Sequence, residues 1–490
     1  MKHCDSLREY VQSLEEQGLL LAIDAEVDCH LELGAIMKKS NDMKGPALLF
    51  NKLKGFPKGF RVLGSPVSAF HKPGLTYARI AVSMGLPADA DVSEIIEKLS
   101  RIADLEPVEP VAVPDAPCKE NKLLGKDVDL SVLPAPLLHN GDGGDYLGTW
   151  PIVITQSADG KWVNWGMYRI MVHDKQTLGA PLIPTQHIGM HYATWKAINK
   201  PMPFAIAFGT DPLTPIVASM AIPAHVSEVN VVGGYRKKPV EQVKCETVDL
   251  YVPASAEIVI EGTVSMDDSR LEGPFTEYTG FLLKAQKSWP VFNVSAITYR
   301  NNPIMPVVCT GEPVEDHLTM SVSLAAGALS LLRKAGLPVK GAFIPAVSAL
   351  HLLVISVYKD RFSGTDKELV DAIAKTVWAD KVGTFTPKIM IVDEDITITD
   401  LDAVLWSFST RCHPGTGFHF YPDTTTVPLS PYLTPEEKKA AKTTNVVYDC
   451  TWSSTIAKQD IPVRATLEAL WPEEVRNTVQ KNWRAYGFKE

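Results

Sequence analysis

Two glutamates five residues apart, Glu272 and Glu277, bound the stretch Glu272-Gly-Pro-Phe-Thr-Glu277. Pro274 fixes its own φ and pushes Gly273 out of the helical region, so the pair is not a helix face. Two acids held in unlike surroundings let one site run acid and base chemistry at neutral pH. A surface turn with two exposed glutamates has the same composition, and on the segment alone it is the commoner outcome.

A second chemistry-bearing stretch is Trp162-Val-Asn164-Trp-Gly-Met-Tyr-Arg169. An arginine among apolar residues is costly unless it meets an anion. Its planar fork matches a carboxylate or phosphate at two points. An internal salt bridge to one of the two glutamates is equally compatible. Asn164 and Arg169 are an odd number of residues apart and cannot share a strand face by alternation, but a turn at Gly166 would bring both to one site.

His187 and His191 have the four-residue spacing of helical zinc sites, but Ile188 stands where H-E-x-x-H needs glutamate. A lone ligand at His187, with oxygen ligands elsewhere, remains open beside a histidine that only bonds a neighbour. Glu228 follows Ser227 at the start of an element, shortly after Ser219-Met220. Asn164, His187 and Glu228 together make a mixed N/O set suited to Mn²⁺ or Mg²⁺ rather than structural zinc. Such an ion completes its shell with water or phosphate. No GxGxxG, GxxxxGK[ST] or GxSxG motif is present.

The elements that must position these residues divide the chain in three. Leu7, Val11 and Leu14 recur at helical spacing, Gly18 is a stop, and Leu19 to Ile23 reads as a strand. Pro107, Pro110, Pro114 and Pro117 mark an extended linker. The middle reads as strands over 151–155, 167–173, 204–208, 257–264 and 291–299. Turn signals at Asp142-Gly143-Gly144 and Val232-Gly233-Gly234 separate them. That spacing predicts an antiparallel barrel or closed sheet. The last third alternates. Helices are expected over 318–335, 367–377 and 401–407, and strands over 350–357 and 388–392. A final helix starts with Pro472 in its first position. It carries a Val475, Val479, Trp483 stripe that packs on its own core or on a partner subunit.

At 490 residues, two or three domains are expected. The net charge of −9 excludes a general nucleic-acid binder. Seven scattered cysteines without a CxxC fit a reducing cytoplasm. The first residues lead directly into an amphipathic helix without a signal-peptide pattern. The most apolar stretch, 341–358, is interrupted by Pro345 and His351 and reads as a buried strand, not a membrane span.

Taken in order, these segments resemble the UbiD-type decarboxylases, and within them the ferulate/cinnamate (phenacrylate) and heteroaromatic acid branch. The resemblance runs nearly end to end. It includes Ala116 to Asn121, Leu137 to Gly144, Asn164 to Arg169, Pro184 to Ile188, Ser227-Glu228, Leu250 to Pro253, Glu272 to Glu277, Trp406 to Arg411 and Val427 to Leu429. It implies an α+β multidomain fold. Residues 1–110 would be an N-terminal α/β segment packed on the cofactor domain. Residues 111–315 would be a split β-barrel (flavin-reductase-like) domain binding prenylated FMN. Residues 316–490 would be an α/β domain used for dimerisation and ending in the C-terminal helix.

The resemblance further implies that Asn164, His187 and Glu228 ligate Mn²⁺, with K⁺ nearby, to hold the cofactor phosphate. Trp165, Gly166, Met167, Tyr168, Arg169, Gln186, Ser219, Met220 and Lys381 match cofactor positions. Arg169, Glu272 and Glu277 match the catalytic set. Arg169 would hold the substrate carboxylate, Glu272 would hold Arg169, and Glu277 would return a proton after CO₂ leaves. Ser321, Phe385, Val427 and Leu429 match substrate-facing positions. A UbiX-type flavin prenyltransferase would supply the cofactor to a homodimer or higher homo-oligomer. The competing readings are a zinc hydrolase built on His187 and His191, and a non-catalytic flavin-binding assembly partner.

Overall fold

The computed structural model describes residues 3–312 and 317–489. Its centre is an antiparallel sheet of eight strands: β1 (Asn121–Leu124), β2 (Ile152–Gln156), β3 (Val163–Gly166), β4 (Met171–Val172), β5 (Thr177–Gly179), β6 (Met202–Phe208), β7 (Ile258–Glu272) and β8 (Lys287–Tyr299). The order is β3-β2-β6-β7-β8-β5-β4, with β1 paired to β8. Side chains alternate across each strand. On β6, Phe204, Ile206 and Phe208 enter one core, while Ala205 and Ala207 enter another. The small residues leave room for α2 (Leu213–Ala218) and α3 (Glu228–Arg236), whose Ile216, Val229 and Val232 share that second core with them.

The expected closed sheet does not form among the described residues. Its two ends, β3 and β4, are separated by only four residues, Met167 to Ile170. Those residues do not continue the ladder. Instead Leu147 and Gly148 donate backbone bonds to the Ile170 carbonyl at 3.0 and 3.2 Å, and Val172 donates to Asp145 at 2.9 Å. The expected strand over 167–173 is therefore reduced to Met171–Val172.

The N-terminal part forms a four-stranded sheet of Leu20–Val27, Ala47–Leu53, Arg61–Gly64 and Ile304–Val307. The first helix spans Leu7–Glu16, as its apolar spacing requires. The fourth strand comes from the far end of the middle region, which ties the two regions together. The last third is a five-stranded sheet in the order Val339–Phe343, Leu352–Val357, Lys388–Asp393, Lys442–Cys450, Phe418–Thr425. Its three inner strands are parallel, and helices Asp366–Trp378 and Leu401–Arg411 lie between them in sequence, which bears out the alternation. The expected boundary at 315/316 lies outside the described residues.

Three local expectations need correction. Within the proline-rich linker, Val111–Val113 pairs in parallel with Glu241–Lys244, so it is part of a sheet. Val232-Gly233-Gly234 is not a turn but lies inside α3. A Cβ at Gly233 or Gly234 would come within 2.6 Å of the carbonyl oxygens of Val108 and Glu106, so these glycines let the linker pass against the helix. The C-terminal helix, Glu473–Asn482, has Pro472 at its N-cap and buries none of its residues on its own chain. Val475 and Trp483 remain exposed. No helix among the described residues is long and apolar enough to cross a membrane.

Candidate active site

Glu272 is the last residue of β7, and Glu277 follows a two-residue strand, Phe275–Thr276, paired with Leu282–Leu283. The exposed-turn alternative fails on burial: Glu272 is 1% exposed and Glu277 6%. Arg169 lies between them. Its Nε and Nη2 each donate to Glu272 at 2.8 Å, a two-point fork, and its Nη1 donates to Glu277 Oε1. The guanidinium stands 5.5 Å from the centre of the Phe275 ring. Its side chain keeps 24% of its surface accessible, so the arginine faces an opening while Glu272 is sealed behind it.

The electrostatics follow from this packing. Burial opposes the Arg169 charge, but the bond to Glu272 and both carboxylates raise its pKa overall, so it stays a cation. Burial pushes the Glu277 carboxyl above the ordinary glutamate range. Arg169 opposes this, while Glu272 and Asp142 add to it. Tyr146 donates to Glu272 Oε1 at 2.8 Å, and burial followed by that carboxylate raises its own pKa, so it remains a neutral donor. Glu272 therefore has donors on both oxygens, whereas Glu277 is bonded to Arg169 through a single edge.

The second group assembles where expected. His187 opens α1 (His187–Ala197), Glu228 opens α3, and Asn164 lies in β3. His187 Nδ1 is 3.0 Å from Asn164 Oδ1 and 3.8 Å from Glu228 Oε1. All three residues are buried. The other Glu228 oxygen accepts the Trp165 backbone N–H at 2.8 Å. Ligands about 2.1 Å from one ion and at right angles lie about 3 Å apart, so these donors fit a shared cation. Among the described residues no three His, Cys, Asp or Glu side chains cluster in a metal-holding arrangement. The donor set depends on the asparagine.

Tyr168 connects the two groups. Its hydroxyl is 3.4 Å from Asn164 Nδ2 and 3.3 Å from the Ile188 N–H, and its ring folds back over Gly166. Arg169 follows it directly, in the interruption that begins after Gly166, the last residue of β3. Trp165 is wholly buried and acts through its backbone, while Met167 stays half-buried. Gln186 holds the N-cap position of α1. Ser219 ends α2 and donates to the Ile216 carbonyl at 2.7 Å, with Met220 half-buried beside the core. Lys381 begins the short helix Lys381–Phe385. Its side chain reaches solvent, yet desolvation lowers its pKa, with Glu228 opposing the shift.

The zinc alternative fails. His191 turns to Thr155, with Nδ1 2.9 Å from its hydroxyl, and packs against Trp162. Burial lowers its pKa to about 4. Of the residues matched to substrate positions, Phe385 lies 6.1 Å from Tyr278, ring to ring, and Val427 bonds to the Thr384 carbonyl. Ser321 turns its hydroxyl to the Leu318 carbonyl. Sequence reasoning missed Tyr146, and took Asp142 for a turn residue only.

Family models for the 3-octaprenyl-4-hydroxybenzoate carboxy-lyases match three parts of the chain: an N-terminal domain over 11–99, a Rift-related domain over 109–313 and a C-terminal domain over 317–450. The chain belongs to the UbiD family of carboxy-lyases. A pyrrole-2-carboxylic acid decarboxylase from Pseudomonas aeruginosa is 36% identical over 485 residues, 98% of each chain. Ferulic acid decarboxylase 1 of Saccharomyces cerevisiae is 36% identical over 496 residues, again 98% of each. Among solved structures, the UbiD-class enzyme HmfF from Pelotomaculum thermopropionicum in complex with FMN has a TM-score of 0.80 at 27% identity, over 94% of this chain and 97% of that one. An evolved dimeric form of HmfF in complex with prFMN has a TM-score of 0.78 at 27% identity, with the same coverage. The α+β multidomain architecture is that of the UbiD-class decarboxylases.

Proposed function

We propose that this carboxy-lyase reversibly decarboxylates an aromatic, heteroaromatic or acrylic-type acid without net oxidation, using prenylated FMN. The observation that carries the reading is Arg169, locked by a buried Glu272 and shared with Glu277 at an opening, in a UbiD-family chain. The FMN and prFMN complexes of HmfF support the cofactor. Asn164, His187 and Glu228 would hold a divalent ion, Mn²⁺ in this reading with K⁺ alongside, and through it the FMN phosphate. Residues 165–169, Gln186, Ser219, Met220 and Lys381 would line the flavin. When bound, prenylated FMN would supply the electron sink that loss of CO₂ requires and no side chain provides.

We further read the open eight-stranded sheet as the split-barrel cofactor domain. The divisions 1–110, 111–315 and 316–490 are supported by family matches that end at residues 99, 313 and 450. The exposed stripe of the C-terminal helix supports a homodimer or higher homo-oligomer, and seven free cysteines support a cytoplasmic setting. A UbiX-type prenyltransferase would supply the cofactor. Protein co-expressed with such an enzyme should show flavin absorbance and release CO₂ from at least one of cinnamic, furoic, pyrrole, indole and benzoic acids. Flavin-loaded protein inert toward all five classes overturns the reading.

The same residues support an order of events. Arg169 is the accessible cation, so the substrate carboxylate docks there and competes with Glu277 for the Nη1 edge. Glu272, bonded at two points and by Tyr146, keeps its hold. Displacing Glu277 removes the contact that lowers its pKa and sets another anion beside it, so it takes up a proton. The protonated carboxyl is then the donor that returns a proton to carbon after CO₂ leaves.

It follows that binding an unreactive aromatic carboxylate should take up a proton at pH values between the free and bound Glu277 pKa, both above the ordinary glutamate range. Calorimetry in buffers of different ionisation heat measures this. Affinity should then weaken as pH rises through the bound pKa. Glu277→Gln should abolish the uptake, and equal heats in all buffers for the unsubstituted protein contradict the coupling.

A further inference from the structure

The strand that delivers Glu277 is only two residues long, and an isolated hairpin so short does not hold itself in place. Its anchors lie outside the catalytic set. Asp142 Oδ1 accepts both the backbone N–H and the hydroxyl of Thr276, at 2.8 and 2.9 Å. The Thr310 hydroxyl donates to the Thr276 carbonyl. The other Asp142 oxygen is 3.0 Å from His139 Nδ1, and His139 Nε2 is 3.4 Å from the Cys309 sulfur. The Asp142 side chain is 1% exposed. Alongside, the Gly143 N–H donates to the Pro274 carbonyl at 2.7 Å, and a Cβ at Gly143 would lie 2.1 Å from the Gly273 oxygen. The same loop reaches Glu272 through Tyr146.

We propose that the His139–Asp142 pair is a positioning device that aims the Glu277 carboxyl through Thr276. Neither residue contacts Arg169, and His139 acts only through Asp142. A buried carboxylate that accepts two donors from one residue fixes that residue in translation and rotation, and the side chain of the next residue is aimed with it. The charged groups acting on Glu277 are Arg169, Glu272 and Asp142. The groups bonded to His139 are the Asp142 carboxylate and the Cys309 sulfur. The inference rests on Glu277 as proton donor.

Asp142→Asn keeps an oxygen toward Thr276 while removing the charge that faces His139. In the flavin-loaded enzyme it should lower kcat about 100-fold, the scale of a misplacement of roughly 1 Å. KM, flavin content and melting temperature should hold. The high-pH limb of kcat should move to lower pH, because the Asp142 charge that raises Glu277 is gone. A simple packing role would not move that limb. Wild-type kcat with a wild-type pH profile overturns the proposal. If Asp142→Asn does not fold, Thr276→Val, which deletes only the hydroxyl donor, carries the test, and wild-type kcat in it overturns the proposal equally. An active Glu277→Gln sinks the proton-donor reading. An inactive Glu277→Gln beside an unaffected Asp142→Asn sinks the positioning role alone.

Discussion

Glu277→Gln is expected to lower kcat by about 10²- to 10⁴-fold, the range supplied by a well-placed general acid. The glutamine carbonyl is a weaker, uncharged acceptor for Arg169 Nη1, so the substrate carboxylate should still displace it. The Arg169–Glu272 fork, at 2.8 Å on both arms, is untouched. KM and flavin loading should therefore stay near those of the parent, and the loss should fall on kcat. That separates a missing proton from a damaged pocket. Glu272→Gln should behave differently. It leaves the Arg169 cation without its sealed counter-charge, and a half-broken buried pair destabilises by about 3–5 kcal/mol. Turnover measured as CO₂ release, with parallel melting curves, distinguishes the two variants. Glu277→Gln with kcat close to wild type removes Glu277 from the proton path.

The second large effect is expected at His187. Its Nδ1 lies 3.0 Å from Asn164 Oδ1 and 3.8 Å from Glu228 Oε1. His187→Ala deletes one of the three proposed ligands, and changes even to the supporting contacts of a metal ligand commonly cost 10- to 100-fold in affinity. A loss beyond about 100-fold in Mn²⁺ affinity is therefore expected, together with flavin lost on gel filtration. Metal analysis and the flavin absorbance band read this without any turnover. His191→Ala should retain both, because that ring faces Thr155 and Trp162. Equal metal content in the two variants contradicts the ligand assignment.

Much of this was legible in the sequence where one local rule decides the outcome. Gly273-Pro274 kept the Glu272–Glu277 pair off a helix face, and the odd Asn164–Arg169 separation ruled out one shared strand face, though the interruption falls just after Gly166 and not at it. The apolar periodicity of Leu7, Val11 and Leu14 sufficed for the first helix. What was not legible depends on partners far along the chain. Gly233-Gly234 has the composition of a turn, and only the backbone at Glu106 and Val108 makes it a close helix contact. Val111–Val113 is three residues between prolines, and its strand identity comes from Glu241–Lys244. Tyr146 is one aromatic in an irregular loop, and nothing nearby marks its bond to Glu272. Asp142 reads as a turn former beside Gly143-Gly144, and only its buried side chain marks it as an anchor.

The interruption of the central sheet at residues 167–170 bears on how the site tolerates change. In a continuous ladder, a one-residue slip reverses the face of every following side chain. Arg169 sits outside the ladder, between two borders that are paired independently. An insertion or deletion there re-aims the arginine without inverting β3 or β4. The position of Arg169 is thereby uncoupled from the register of the scaffold. With Arg169 in its proposed role, a fold arranged this way can change which carboxylate it accepts while its core stays as it is.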